Sequence, residues 1–270
     1  MNFSYKLIIP KKYLIPQAVL QEFLTFISIN LPAKQTGRPQ KDSEPLVAGM
    51  YYLLRTGCQW NALPLCFGAS KTIYHRFVEL VKLGDFQKIW KSFLMLYDRK
   101  NGLRLQEQSI DSNHKKSPLG GDKTGKSPVD RRKLGTKLNL AVEENGIPIG
   151  ATIARANQHD TQLFIPIIDD LQNQINQSKN HYLHTDKGYS SKKNHKEAVS
   201  RNFTPVMPEK KPKNKPYKTL PKKDTKRWVV ERTFSWINRF RRVFVRYERK
   251  SKYFLSMVQF TFQIMIFKKI

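Results

Sequence analysis

Acidic residues are scarce in this chain of 270 residues: 21 Asp and Glu stand against 49 Lys and Arg, a formal net charge of +28. Charge of this size asks for a polyanionic partner, nucleic acid first and an anionic membrane surface second. A merely solvated basic surface is the plainer alternative. Cysteine is nearly missing. Cys58 and Cys66 lack the further Cys or His neighbours that a disulfide framework or a zinc site requires, so a reducing cytoplasm is the expected setting. Long apolar runs are missing too. The most hydrophobic segment, Tyr253 to Phe267, is broken by Ser256, Gln259, Thr261 and Gln263 and is shorter than the ~20 apolar residues of a membrane helix. Residues 1–12 carry no secretory pattern, so neither secretion nor a membrane partner is expected. No glycine-rich strand-to-helix loop has the P-loop spacing, which excludes nucleotide hydrolysis of that kind, and no internal repeat is visible.

What is present suffices for a core: 39% of the residues are apolar and 11% aromatic. The first hundred residues read as helices, over Val19–Ile29, from Asp42 or Ser43 to Arg55 with a stop at Gly57, from a cap at Ser70 to Gly84, and over Asp85–Tyr97. A turn with Trp60 joins the second helix to the third, which carries Lys71, His75 and Arg76, as in a helix-turn-helix. From residue 105 the pattern changes to strands at Gln108–Ser112, Thr136–Val142, Ile149–Arg155, His181–Thr185 and Phe203–Met207, with helices near Asp160–Asn176 and after Ser190. This order predicts a mixed α/β sheet. The tract 208–227 holds nine Lys or Arg and four Pro and reads as a basic mobile loop. Helical periodicity then returns over Trp228–Arg249 and in the last segment. The predicted domains are 1–100, helical and DNA-binding, and 101–270, catalytic.

With so few acids available, their positions carry information. Asp111 and Asp186 each end a strand expected to be buried, and Glu231 sits within the apolar helical stretch Trp228–Ile237. A carboxylate in such surroundings costs on the order of several kcal/mol to bury unpaired, so each needs a cation. Taken singly, a salt bridge to arginine is favoured for each. Taken together, the three form a ligand set for hard divalent cations. Two such ions roughly 3.5–4 Å apart can activate a water or 3′-hydroxyl and stabilise a leaving 3′-oxygen.

The chain resembles the DDE transposases of bacterial insertion sequences, of the group with insertion sequences four and five. The resemblance lies in Gly37-Arg38-Pro39, in Leu53 through Pro64, in Thr72 through Phe77, in Ile110-Asp111-Ser112 and in Asp186-Lys187-Gly188-Tyr189. It continues through Val230-Glu231-Arg232-Thr233-Phe234-Ser235-Trp236-Ile237-Asn238-Arg239-Phe240-Arg241-Arg242 to Arg246-Tyr247-Glu248, and through Ala156-Asn157 with His159-Asp160. It implies a ribonuclease-H-like mixed sheet flanked by helices and preceded by an all-α helix-turn-helix-type domain. It implies Asp111, Asp186 and Glu231 as catalytic, metal-binding triad, with Mg²⁺ as cofactor and Mn²⁺ as its substitute. The implied partners are double-stranded DNA, as terminal inverted repeats and target, and a second copy of the chain holding the other element end. The implied location is a bacterial cytoplasm, on the nucleoid when DNA is bound. Asp224 occupies the family's tyrosine position and Asn238 its downstream basic position, while Arg227 precedes Glu231 by four residues as expected.

The expected DNA contacts are Lys71, His75, Arg76, Arg227, Arg239, Arg241, Arg242 and Arg246. Trp228 and Trp236, eight apart on one helix face, are expected in the core, and His159 as a helix cap. Two other functions share these features: a ribonuclease-H-like nuclease without strand transfer, and a non-catalytic helix-turn-helix DNA binder. Convergence of the three carboxylates favours the enzyme, whereas a basic side chain between them favours the binder.

Overall fold

The computed structural model describes residues 5–30, 42–174, 181–208 and 226–270. The expected loop at 31–39 and residues 209–225 of the basic tract lie outside them. The chain forms two units. One comprises the described residues through Tyr97 together with Asn238–Val245 and Lys252–Ile270; the other comprises Asp98–Ile237 and Arg246–Ser251.

The helical unit begins with α1 (Tyr5–Ile8), α2 (Gln17–Asn30), α3 (Ser43–Thr56), α4 (Ser70–Leu83) and α5 (Asp85–Asn101). Helix α3 starts where the Asp42 carboxylate accepts the Glu44 N–H at 3.0 Å. It stops at Gly57, whose φ of 71° is open to glycine at little cost and whose N–H returns to Leu53 O. Ser70 is the first residue inside α4, and the capping position falls on Ala69, which has no side-chain cap. Residues 57–69 between α3 and α4 contain two 3-10 turns, Trp60–Ala62 and Leu65–Phe67. This connection is longer than the ~3–4-residue turn of a helix-turn-helix. Trp60 packs there on the rings of Tyr74 and Phe77, 5.2 and 5.3 Å between centroids.

The second unit is built on β1 (Glu107–Lys116), β2 (Gly125–Lys126), β3 (Leu134–Val142) and β4 (Pro148–Arg155). A 3-10 turn (Asp160–Gln162), α6 (Phe164–Gln174), β5 (His181–His184), α7 (Lys192–Ser200), β6 (Phe203–Val206) and α8 (Trp228–Ile237) follow. Strand β3 pairs antiparallel with β1 and with β4, while β5 pairs parallel with β1 and β6 parallel with β5. The spatial order is therefore β4-β3-β1-β5-β6, with β2 added at one end of β3. Within the antiparallel part a short turn joins β3 to β4 and the longer segment 117–133, which carries β2, joins β1 to β3; the parallel part takes helix crossovers through α6 and α7. All of β3 beyond Leu134 is buried, as a strand covered on both faces must be. This is the ribonuclease-H-like sheet that the sequence led us to expect.

The chain returns to the helical unit with α9 (Arg241–Phe244) and, for nearly all its length, α10 (Ser251–Phe267). In α10, Phe254, Met257, Val258, Phe260 and Phe262 are fully buried. Phe260 packs 4.9 Å from Phe23, and Phe262 lies 5.0 Å from Trp90. The expected boundary at residue 100, with everything after it catalytic, is thus corrected: aromatic burial draws the C-terminal helix into the first unit. The helix expected over Trp228–Arg249 is also interrupted, ending at Ile237. Phe240 and Val243 keep the apolar spacing because they pack in the helical unit, while Arg246 N donates to Lys116 O at 2.8 Å as extended chain.

Arg246 itself is only 1% exposed. It donates from Nη2 to Asp122 O (2.7 Å), Asp122 Oδ1 (2.9 Å) and Arg249 O (3.0 Å), from Nε to Glu248 O (2.8 Å), and from Nη1 to Thr136 Oγ1 (3.2 Å). Burial pushes the Asp122 carboxyl up, but hydrogen bonds from Ser251 and the Arg246 guanidinium outweigh it and hold Asp122 below its ordinary value. A depressed carboxyl contributes stability above the unfolded value of ~3.9 that is lost as pH falls through the folded one. Arg246→Ala is expected to cost about 1–3 kcal/mol in urea unfolding near neutral pH, because it strands the Thr136 hydroxyl and the Glu248 carbonyl inside while water takes over at the exposed Asp122 carboxylate. The deficit relative to wild type should shrink in strong acid.

Candidate active site

Strand β1 points alternate side chains to opposite faces. Asp111 lies on the face covered by α8, where Ser109 Oγ donates to Lys226 O at 3.1 Å. Asp186 follows β5, capping a 3-10 turn by accepting the Lys187 N–H at 2.7 Å. Glu231 projects from the first turn of α8. Three elements distant in sequence thus deliver one carboxylate each, and they meet on one cation. Arg227 reaches Asp186 Oδ1 from Nη1 at 3.3 Å. From Nη2 it reaches Asp111 Oδ2 at 3.5 Å and Glu231 Oε1 at 3.3 Å. Its Nε is buried and has no acceptor among the described residues. Asp111 is the most enclosed of the three acids, its side chain 20% exposed against 42% for Asp186 and 59% for Glu231. Burial pushes the Asp111 carboxyl above its ordinary value. The Ser112 N–H and Arg227 oppose this, and the charges of Asp186 and Glu231 add to it.

The carboxylates therefore converge, and a guanidinium lies between them. Among the described residues, no three His, Cys, Asp or Glu side chains stand close enough as placed to hold one ion. The donor chemistry nonetheless fits a hard divalent cation: the side chains are oxygen ligands only, anionic, and already directed at a common positive charge.

The expected DNA contacts divide by burial. Lys71 and His75 are exposed one turn apart on α4, and Arg239 and Arg241 are exposed in the helical unit. Arg76 is not available: it is 5% exposed and paired with Glu79 at 2.8 Å. Arg242 is 5% exposed and donates to Cys58 O at 2.9 Å. Arg246 is enclosed as described above. These three cations are enclosed, Arg242 and Arg246 by backbone carbonyls and Arg76 beside the Glu79 carboxylate.

The tryptophans depart from expectation in the other direction. Trp228 is 57% exposed. The Arg232 guanidinium stacks between Trp228 and Trp236, 4.7 and 4.8 Å from the ring centroids. His159 Nδ1 accepts the Thr161 N–H and caps the 3-10 turn, as expected. His184 packs, paired with Glu107.

Sequence reasoning missed a second cluster, on the opposite face of β1 from Asp111. Ser112 Oγ donates to Asp160 Oδ1 at 3.0 Å, and Lys137 Nζ donates to the same oxygen at 2.8 Å and to Gln158 O at 2.9 Å. Tyr189 OH donates to Asn139 Oδ1 at 2.7 Å. Burial holds this phenol far above its ordinary range, with the charges of Asp111, Asp160 and Asp186 adding to it, so it stays a donor. The one available signal was the His159-Asp160 pair.

Residues 103–259 match the family model described as "Transposase DDE domain", and residues 22–90 match the one described as "Putative transposase of IS4/5 family". The chain belongs to the DDE transposases. A curated relative, "Putative transposase for insertion sequence element IS402" of Burkholderia cepacia, is 33% identical over 138 residues, 49% of this chain. The chain spans 63% of that relative's length. Among solved structures, a piggyBac transposase synaptic complex with hairpin DNA aligns with 96% of this chain and 73% of its own, at 11% identity and a TM-score of 0.44. The Mos1 strand transfer complex aligns with 69% of this chain and 64% of its own, at 12% identity and a TM-score of 0.28. No helix among the described residues is long and apolar enough to cross a membrane.

Proposed function

We propose that the chain is a DNA transposase that cuts phosphodiester bonds at the ends of an insertion sequence and joins the freed 3′-ends to target DNA. The observation that carries this reading is the convergence of Asp111, Asp186 and Glu231 on one guanidinium, that of Arg227, in a chain of charge +28. In this role the three carboxylates hold Mg²⁺, or Mn²⁺ in its place. Divalent cations bound by such a set supply activation of a water or 3′-hydroxyl and stabilisation of the leaving 3′-oxygen. The protein contributes the rest. Strand ends and a helix fix the carboxylates, and Arg227 balances them. On the helical unit, Lys71, His75, Arg239 and Arg241 offer exposed donors for DNA phosphates, a sequence-independent attraction that weakens with salt. A homodimer holding two element ends is part of the proposal.

The guanidinium within the triad is the specific observation that favours a second reading, a DNA binder with no catalysis. Incubation of the chain with labelled element ends and Mg²⁺, scoring nicked and joined products separately, tests both. Joined product supports the transposase. Nicked product alone marks a nuclease without strand transfer, and salt-sensitive binding with neither product marks the binder.

A further inference from the structure

We propose that Asp160 is a positioning residue, a fourth acid that fixes how far the Asp111 strand stands from the Asp186 turn. The inference rests on the metal-holding reading of the triad. Asp160 begins the 3-10 turn after β4 and belongs to none of the elements that carry the triad. Its Oδ1 receives Ser112, the residue next to Asp111, and Lys137, which β3 presents from the position opposite His114. Its other oxygen lies against the Asp186 turn. A Cβ added at Gly188 would stand 3.1 Å from Asp160 Oδ2, so any larger side chain at 188 would press on it. The two turns are joined a second time by Asn194, 2% exposed, whose Nδ2 donates to Thr161 O at 2.9 Å and to Tyr189 O at 2.7 Å.

Each link has a physical consequence. Lys137 is 6% exposed, and a cation so enclosed holds its place only while Asp160 and the Gln158 carbonyl receive it. The Ser112 link acts on β1 one residue from Asp111 but on the other face, so it sets the strand position without touching the triad. Asp111 and Asp186 repel each other, and Arg227 is their shared counter-charge on the α8 side. Asp160 braces the same two segments from beneath the sheet. Partners behind a metal's own ligands typically govern its affinity by about 10–100-fold.

The test is calorimetric titration of the full chain with Mn²⁺, for wild type, Asp160→Ala and Ser112→Ala, with Mn²⁺-dependent cleavage of labelled ends followed in parallel. Asp160→Ala is expected to weaken Mn²⁺ binding about tenfold or more, and Ser112→Ala by a smaller factor in the same direction. The cleavage midpoint should shift to higher Mn²⁺ with much of the rate recovered at saturation. A merely structural residue would lower the rate at every Mn²⁺ concentration without moving that midpoint. Wild-type affinity and midpoint in Asp160→Ala would overturn the proposal. Should Asp160→Ala not fold, an unshifted midpoint in Ser112→Ala would overturn it equally. The wild-type titration is read first. If it shows no Mn²⁺ binding, the metal reading itself fails, which is distinct from a wild type that binds and variants that do not differ.

Discussion

Asp111→Asn is expected to reduce cleavage of element ends by about a thousandfold or more while leaving DNA binding nearly intact. The substitution keeps the shape and the Ser112 N–H contact but removes one of the three charges that, in the proposed function, hold the cations. Electrostatic groups aimed at developing charge are each worth on the order of 10²–10³ in rate, and Asp111 would act through the cations it would hold, whose chemistry would activate the nucleophile and stabilise the leaving group. Of the three acids Asp111 is the least exposed, so water replaces its charge least well. Neutralising it also relieves a buried carboxylate whose charged form is disfavoured by desolvation. The variant should therefore unfold at a urea concentration equal to or above that of wild type. Loss of activity without loss of stability, read from labelled-end cleavage beside urea melts, separates a chemical role from a structural one. A variant that still cleaves with Mg²⁺ would contradict the assignment.

The sheet was legible because strands announce themselves locally. Thr136–Val142 and Ile149–Arg155 are apolar and β-branched around the turn at Asn145-Gly146, and they fall within β3 and β4. Asp42 and Gly57 likewise marked α3 at both ends by capping chemistry that acts over a few residues. The convergence of Asp111, Asp186 and Glu231 was foreseeable because acids are rare in this sequence and two of these end strands, although Glu231, set in an apolar stretch of sequence, is itself 59% exposed. Long-range packing was not legible. The periodicity after Trp228 carried no sign that Ile237 closes one helix and that Phe240 and Val243 pack in a different unit from Phe234. An arginine looks the same in sequence whether it faces a phosphate or a ring of carbonyls. Arg76, Arg242 and Arg246 were therefore indistinguishable from Arg239 and Arg241 until burial was known. Asp160 and Lys137 were missed for a related reason. Their link joins β3 to the turn after β4, neighbours only through the β3–β4 pairing of the folded sheet.

Arg227 carries the other large expected effect, and it acts in two directions. A single guanidinium within 3.3–3.5 Å of three carboxylates leaves that cluster with a formal charge of −2. Arg227→Ala raises it to −3 by removing the shared counter-charge. Without divalent metal, the variant should unfold at lower urea concentration than wild type, since three like charges then face one another half-buried. With metal the sign reverses. A guanidinium standing between the carboxylates competes with any cation they hold, so its removal should tighten Mn²⁺ binding by about tenfold, the equivalent of ~1.4 kcal/mol. Mn²⁺ should consequently stabilise the variant against urea more than it stabilises wild type. Cleavage should nevertheless fall by about a hundredfold even at saturating Mn²⁺ if, as proposed, a displaced Arg227 turns its donor fork to the non-bridging oxygens of the scissile phosphate. Arg227→Lys keeps the charge but loses the fork, and should restore metal-free stability more fully than it restores the rate. Tighter metal binding together with slower cleavage is a combination that a purely structural salt bridge does not produce. If Arg227→Ala binds Mn²⁺ no better than wild type and cleaves as well, the guanidinium neither competes with the cation nor serves the phosphate.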